Sequence, residues 1–379
     1  MFRTNRLLLI LTLAICSLPV ISQAQSQGQP NSDAGAVFVM TNGADKNEIV
    51  AYKRHADGSL SEGNIYSTGG RGSGGLTDPL GSQGSLTLTQ DHSILLAVNA
   101  GSGNISVFRV FGDQLLLVDR VHCGGSEPVA VAQHGNLVYV VNAGGTSSVT
   151  GFHLDHSGRL SPLANSTTFL TTANSGAASL SFSPDGKFLL VTEKLTNNID
   201  AFHVQNDGVL SPIVVNPSAG PGLFGVLFAP NGTVLATATG PAGGSDASTL
   251  SSYAVQANGT LSAISATVPT DANATCWHVV TPDGHFVYTS NPGSGTISGF
   301  ALGTNGELTA IGGTIVATLP AGSANLDIAI AADGKFLYTV DSGSGKVSVL
   351  GVNADGTLTT LNEVGGPSAN SGFNGIAAF

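Results

Sequence analysis

The chain has 379 residues, of which 51 are Gly and only 10% are Asp, Glu, Lys or Arg, against about 25% in an average protein. The net charge of −11 excludes binding to nucleic acid or to an anionic membrane surface through neutralised phosphates. A hydrophobic content of 41% excludes a disordered chain, and the abundance of Gly, Ser, Thr, Asn and Val argues against a helix-rich fold.

Residues 1–24 have the pattern of a secretory signal: a basic start, an apolar run too short for a transmembrane span, and small residues before a cleavage point after Ala24. Cys16 offers the alternative of a lipoprotein, which the bulky Ile15 before it disfavours. We expect a flexible segment over 25–35, a propeller domain over 36–379, and a periplasmic or secreted protein that has no membrane contact after cleavage.

One apolar run that ends in a polar residue recurs seven times, 43 to 57 residues apart. Each run is followed by a Gly-rich turn and a second apolar strand, and a further strand precedes most of the units. This period predicts one four-stranded propeller blade per unit, and therefore an all-β, seven-bladed β-propeller. The runs are VFVMTN from Val37, ILLAVN from Ile94, LVYVVN from Leu137, FLLVTE from Phe188, VLATAT from Val234, FVYTSN from Phe286 and FLYTVD from Phe336.

In every unit, the apolar strand that follows the run carries a large apolar residue at its fourth position. We expect these residues to fill the interfaces between stacked sheets. An Asp-Gly or Asn-Gly pair follows in most units, as at Asp57-Gly58, and predicts a two-residue hairpin turn with positive φ. We therefore interpret these acids as turn formers. The fourth-position residues are Tyr52, Phe108, Phe152, Phe202, Tyr253, Phe300 and Leu350.

The first unit lacks a preceding strand, and the chain ends in a strand-like GIAAF that has no unit after it. We predict that this C-terminal strand is the innermost strand of the N-terminal blade, which closes the ring and removes its free edges.

The repeats resemble the seven-bladed lactonase family, which includes 6-phosphogluconolactonase-like and carboxymuconate-cyclase-like propellers. The resemblance rests on SPDGKFLLV from Ser183, TPDGHFVY from Thr281 and AADGKFLY from Ala331, and on tails such as NADGTLTTL from Asn353. The runs LVYVVN and FVYTSN are also similar to the YVTN-type propeller repeats of exported proteins. The resemblance covers essentially the whole mature chain and implies an enzyme that opens a lactone.

Such chemistry needs a base and a partner for the oxyanion at the channel mouth, where loops lead into the innermost strands. The resemblance implies His and Arg in these loops, but none of the seven contains an Arg. Because an acidic mouth repels phosphate, we expect an exported lactonase-like hydrolase for an unphosphorylated, sugar-type lactone or sugar acid. The alternatives are a non-catalytic ligand- or protein-binding propeller and a muconate cycloisomerase-like enzyme, which needs Arg clamps.

Three residues near the mouth are candidate catalytic groups: Glu127, His278 and Asp327. Glu127 is alternatively a solvated loop acid, and Asp327 alternatively caps loop amides. His278 either faces Asp327 and pairs with it, or faces the opposite way, toward Gly225. The candidate substrate-binding residues are Trp277, which could stack on a sugar or pack between blades, together with Asn325, Asn374 and Arg71.

No motif indicates a cofactor or a metal site, so we expect none, with a divalent cation in the channel as an open alternative. Cys123 and Cys276 belong to distant blades and are predicted to be two free, buried thiols. We expect a monomer.

Overall fold

The computed structural model describes residues 1–2 and 35–379. The predicted signal and the segment that follows it therefore lie almost wholly outside the described residues. The described part contains 29 strands in seven antiparallel sheets arranged as a propeller. Within it, no helix is long and apolar enough to cross a membrane.

The seven apolar runs each form the second strand of a blade, as predicted. Blade one contains β1 (Gly35–Met40), β2 (Glu48–Arg54), β3 (Leu60–Ser67) and the C-terminal β29 (Ile376–Ala378). Blade two contains β4 (Leu86–Leu88), β5 (Ile94–Asn99), β6 (Asn104–Phe111) and β7 (Gln114–His122). Blade three contains β8 (Pro128–His134), β9 (Leu137–Asn142), β10 (Ser148–Leu154), β11 (Leu160–Pro162) and β12 (Thr168–Phe169). Blade four contains β13 (Ala177–Phe182), β14 (Phe188–Glu193), β15 (Asn198–His203) and β16 (Val214–Pro217).

The last three blades repeat this order from the inside outward. Blade five contains β17 (Leu223–Phe228), β18 (Val234–Ala238), β19 (Thr249–Val255) and β20 (Leu261–Pro269). Blade six contains β21 (His278–Val280), β22 (Phe286–Asn291), β23 (Thr296–Leu302) and β24 (Leu308–Thr318). Blade seven contains β25 (Asn325–Ile330), β26 (Phe336–Asp341), β27 (Lys346–Val352) and β28 (Leu358–Gly365). Blade three differs only in its outer strand, which is split into two pieces that both pair with β10.

The predicted closure of the ring is confirmed. Strand β29 pairs antiparallel with β1, with Phe38 opposite Ala377, and becomes the innermost strand of blade one. The main-chain N–H of Met40 also donates to the carbonyl oxygen of Gly375 at 3.0 Å. The strand edge that β1 would otherwise expose is thereby covered.

The interfaces between blades are filled by the repeated large residues. All seven fourth-position residues of the third strands, including Tyr52 and Leu350, are at most 3% exposed. Three tyrosines of the second strands add hydrogen bonds between blades. The hydroxyl of each donates to the carbonyl oxygen of the turn glycine in the next blade. These bonds join Tyr139 to Gly208 at 2.6 Å, Tyr288 to Gly356 at 2.8 Å and Tyr338 to Gly58 at 3.1 Å.

The outer hairpin turns differ from the prediction in type. In blade one the N–H of His55 donates to the carbonyl oxygen of Ser59 at 2.9 Å, so three residues form the loop. Only Gly58 is left-handed, with φ of 83°, whereas a two-residue turn needs positive φ at both positions. Asp57 instead accepts a bond from the Ser59 N–H at 3.0 Å, so its predicted role as a turn former is confirmed.

Candidate functional site

The innermost strands begin, and the second strands end, at one end of the central channel, which we call the mouth. Residues 78–84, the last part of the connection between blades one and two, cross this mouth, and we call them the strap. The Gln83 N–H donates to the carbonyl oxygen of Ala178 in blade four at 3.0 Å. The Gln83 side-chain amide donates to the carbonyl oxygen of His278 in blade six at 2.6 Å. Because these blades lie on different sides of the ring, the strap covers the channel.

Two charged side chains from different parts of the chain hold the same strap residue. An oxygen of Asp78 accepts a hydrogen bond from the N–H of Gly81 at 2.9 Å. The ammonium group of Lys194, which directly follows β14, donates to the carbonyl oxygen of Gly81. The Asn374 side-chain amide donates to the same oxygen of Asp78 at 2.9 Å. A carboxyl group and a cation are thus fixed on either side of one residue at the mouth.

The surroundings of this pair shift both pKa values toward neutrality. Burial raises the pKa of Asp78 to about 7, although the charge of Lys194 and the bonds from Gly81 and Asn374 favour the ionised form. Burial also lowers the pKa of Lys194, against the opposing effect of nearby acidic groups that include Asp78 and Glu127. A carboxyl group that titrates near neutral pH beside a cation can exchange protons with a substrate.

The aromatic residues near the mouth support the strap and Lys194. Trp277 is fully buried, and its indole N–H donates to the carbonyl oxygen of Ser82 at 2.8 Å. Its ring packs edge-on against Phe224, with 4.9 Å between centroids, and the ammonium of Lys194 lies 5.3 Å from the Phe224 centroid. Of the two interpretations of Trp277, the structure therefore shows packing between blades.

His278 faces blade five, the second of its two predicted orientations. Its ring carbon Cε1 lies 3.2 Å from the position that a Cβ atom would take on Gly225. Burial lowers the pKa of His278 to about 4, an effect that the backbone of Leu235 partly offsets. The imidazole is therefore neutral at neutral pH, and the expected pair with Asp327 does not form.

Asp327 faces blade one and holds main-chain amides, as the capping alternative predicts. Its carboxyl oxygens accept from the N–H of Ile328 at 2.9 Å and from the N–H of Ile376 in β29 at 3.3 Å. Burial raises its pKa to about 7, and the negative charge of Asp78 contributes to the same shift. The two carboxyl groups are therefore electrostatically coupled.

The remaining candidates are distributed around the mouth. Glu127 is exposed on the rim with φ of 53°, and its charge acts on Lys194. Asn325 is buried and donates its amide to Ser290 Oγ at 2.6 Å, which joins blades six and seven. Arg71 is exposed, and its main-chain N–H donates to Ser102 Oγ at 2.9 Å. Asn374 thus bonds to Asp78, and the charge of Glu127 acts on Lys194. His278 and Asp327 both line one part of the central cleft, but Glu127 does not line it.

Between the strap and the far end of the ring, the channel is an open cleft with mainly apolar walls. One part encloses about 450 Å³ and extends from Gln83 to Pro184 and Pro282 at the far end. An overlapping part of about 350 Å³ is lined by Leu227 and Val279. Because Gln83 and Gly84 of the strap line both parts, the strap forms the floor of this cleft.

The described residues contain no group of three His, Cys, Asp or Glu side chains placed to hold a metal ion. Cys123 and Cys276 are free and buried, as predicted. Burial raises the pKa of both thiols, which makes them poor nucleophiles.

Asp78 and Lys194 were not among the sequence candidates, although two signals indicate them. The first and second units are separated by 57 residues, the longest spacing, so their connection is long enough to reach over the mouth. Lys194 follows the polar end of a second strand, and antiparallel topology places that end beside the start of the innermost strand.

Comparisons with known proteins agree with this architecture. The sequence model described as "Lactonase, 7-bladed beta-propeller" matches residues 129–276 and 247–370. No curated protein matches the chain in sequence.

Three solved structures illustrate the similarity in fold. A putative 6-phosphogluconolactonase from Bacteroides uniformis has 21% identity and a TM-score of 0.68, covering 90% of this chain and 99% of its own. The periplasmic gluconolactonase of Pseudomonas aeruginosa has 18% identity and a TM-score of 0.67, covering 90% and 98%. Apo AztD from Citrobacter koseri has 12% identity and a TM-score of 0.56, covering 90% and 96%. At these identities the likeness shows the fold.

Proposed function

This chain belongs to the seven-bladed β-propeller lactonase family, and we propose that it hydrolyses a lactone at the mouth of its channel. The observation that carries the proposed site is the fixation of Asp78 and Lys194 on the two polar groups of Gly81. One side chain can accept a proton near neutral pH, and the other carries a positive charge.

In the proposed reaction Asp78 is the general base. Its carboxylate takes a proton from a water molecule, whose oxygen attacks the carbonyl carbon of the lactone. The ammonium of Lys194 stabilises the negative charge that develops on the carbonyl oxygen. The ring C–O bond then breaks, and the proton held by Asp78 passes to the leaving alkoxide. The product is the open hydroxy acid, and Asp78 returns to its ionised form.

The surrounding groups support this assignment of roles. Asn374 and the N–H of Gly81 orient the carboxyl group of Asp78 by hydrogen bonds at 2.9 Å each. The charge of Asp78 helps to raise the pKa of Asp327, and we propose that Asp327 supports the site by holding the main-chain amides of Ile328 and Ile376. We propose that Glu127, at the rim, acts through its negative charge, which favours the charged form of Lys194.

We also propose an unphosphorylated, sugar-type lactone as the substrate. The carboxyl groups of Asp78 and Glu127 act on the ammonium of Lys194 in the proposed site, and a phosphate dianion would be repelled by their combined charge. The leader pattern of residues 1–24 supports an exported enzyme.

The test is to incubate the purified mature chain with matched aldonolactones, such as glucono-1,5-lactone and its 6-phosphate, and to follow acid release. We expect acceleration above the spontaneous rate, with a preference for the unphosphorylated member. Lys194→Met and Asp78→Asn should each reduce kcat/KM at least 100-fold, which is about 2.7 kcal/mol of transition-state stabilisation.

Lys187→Met is the matched control, because Lys187 is an exposed lysine of the same blade that pairs with Asp185 at the far end. Its kcat/KM should equal that of the parent. No acceleration for any lactone would overturn the hydrolase proposal and favour the ligand-binding propeller.

A further inference from the structure

Two buried carboxyl groups meet in blade four, at a pair of positions where three other blades combine an asparagine or an aspartate with a serine. Glu193 ends β14, and Asp200 lies seven residues later in β15. Both side chains are 0% exposed. No described residue provides a hydrogen-bond donor to either oxygen of Asp200, and Glu193 is the acidic group that acts on it.

The same pair of positions in three other blades is occupied by residues that satisfy each other. The Asn99 amide donates to Ser106 Oγ at 2.8 Å in blade two, and the Asn291 amide donates to Ser298 Oγ at 2.8 Å in blade six. In blade seven Ser348 Oγ donates to a carboxyl oxygen of Asp341 at 2.6 Å. Blade four is therefore the one of these four blades in which both members are carboxyl groups.

Hydrogen bonding distinguishes the roles of the two acids. Glu193 accepts from the N–H of Thr171 at 2.8 Å and from the hydroxyls of Thr171 and Thr196, so its ionised form is well satisfied. Asp200 has the charge of Glu193 beside it and no donor of its own. Two adjacent ionised carboxylates in a dry interior are strongly unfavourable, and a proton on Asp200 removes one charge and supplies the missing donor.

We propose that Asp200 is a protonated acid that donates a hydrogen bond to Glu193, and that this pair positions Lys194 at the mouth. Lys194 is the next residue after Glu193, and its N–H donates to the carbonyl oxygen of Gly176 at 3.0 Å. Thr171 precedes Gly176 in the chain, and Thr196 follows Lys194. By accepting hydrogen bonds from both threonines, the carboxylate of Glu193 fixes the two segments that flank the Lys194–Gly176 bond. The functional meaning of this positioning rests on the proposed role of Lys194 in lactone hydrolysis.

The first test concerns the proton and needs no substrate. If folded Asp200 keeps its proton above the pKa of an unfolded Asp, about 3.9, unfolding releases that proton and stability falls as pH rises. Between pH 5 and 7, the ratio of the unfolding equilibrium constant of the parent to that of Asp200→Asn should therefore increase about tenfold for each pH unit. The asparagine preserves shape and donor, and urea unfolding at each pH measures the difference.

Equal pH slopes for the parent and Asp200→Asn would overturn the protonated state. Stabilisation of the parent, and not of Asp200→Asn, by millimolar Ca²⁺ would also overturn it, because the pair would then bind a cation in place of a proton. The double variant Glu193→Asn with Asp200→Ser copies the pair of blade two and should lose the additional slope as well.

The second test concerns the position of Lys194. Glu193→Ala and the milder Thr196→Ala should each increase the acylation rate of Lys194 by an N-hydroxysuccinimide ester severalfold, as measured by mass spectrometry of the native protein. Asn291→Ala, at the equivalent position of blade six, should leave that rate unchanged. Unchanged Lys194 reactivity in Thr196→Ala and Glu193→Ala would overturn the positioning role. Because neither test involves a lactone, the Lys194→Met kinetics judge the proposed function separately.

Discussion

The side chain of Gln83 reaches across the mouth and donates to the carbonyl oxygen of His278 at 2.6 Å, which fastens a segment that precedes blade two to blade six. The side-chain oxygen of Gln83 lies so close to Gly225 that a Cβ atom on that residue would be only 2.4 Å away. The position of the strap therefore requires a residue without a side chain, Gly225, in blade five.

We predict that Gly225→Ala destabilises the protein by about 1–3 kcal/mol, because the added methyl group displaces Gln83. Combining it with Gln83→Ala should recover part of that loss, and a double-mutant cycle in urea measures the coupling. Gly351→Ala is the control, since its nearest neighbours would be 3.7 Å from the new methyl group. Additive effects of Gly225→Ala and Gln83→Ala would contradict the predicted clash.

The pH dependence of lactone hydrolysis should follow Asp78. A general base works in its ionised form, and burial raises the pKa of Asp78 to about 7, so kcat/KM should rise with pH and level off above about 7. Asp185→Asn, which changes an exposed acid at the far end, should preserve this profile. Rates are measured against buffer blanks at each pH. A kcat/KM that is constant from pH 5 to 8 would argue against Asp78.

Asp327 should make the protein less stable as pH rises. Its pKa in the folded state is about 7, above the value of about 3.9 for an unfolded Asp, so the folded protein binds more protons between these values. Asp327→Asn should lessen the decline in unfolding free energy between pH 4 and 7. The change of the urea midpoint with pH measures this, and an unaltered slope would show that Asp327 is ionised in the folded protein.

The hydroxyl of Tyr338 should contribute to the contact between blades seven and one. Tyr338→Phe removes its bond to the carbonyl oxygen of Gly58 and should cost about 1 kcal/mol of unfolding free energy. Tyr66→Phe is the control, because the Tyr66 hydroxyl bonds to Gln114 in an exposed setting. Equal losses of unfolding free energy in the two variants would mean that the hydrogen bond between Tyr338 and Gly58 does not stabilise the contact between the blades.

Removal of residues 376–379 should lower the melting temperature and cause aggregation. The truncation deletes β29 and leaves the inner edge of β1 unpaired, which is a template for association with other chains. Thermal scans with light scattering measure both effects. A truncated chain that stays monomeric and melts like the parent would contradict the closure.

The periodic part of the fold was predictable because each blade repeats the same physical requirement. A second strand buried on both faces needs a run such as LVYVVN, and a stacked interface needs a large residue such as Phe152 at a fixed place. The turn type was predicted wrongly because Asp-Gly is compatible with both two- and three-residue loops, and only the bond from His55 to Ser59 distinguishes them.

The site was less predictable because it is built by the parts that do not repeat. Neighbouring strands give His278 two possible partners, and only the packing against Gly225 determines which one it faces. Asp78 lies in a connection without periodicity, so its distance in sequence from Lys194 gives no indication of their contact with the same residue, Gly81. Burial of both groups, which sets their pKa values, depends on the complete ring.

The pairing of β29 with β1 also sets the order in which the molecule can assemble. Blade one combines strands that are far apart in the sequence, so it is incomplete until β29 has been made, while the other blades can already form from local hairpins. Ring closure is then the strand pairing of highest sequence separation, and we expect it to form late in folding. Until that step the chain remains an open series of hairpins.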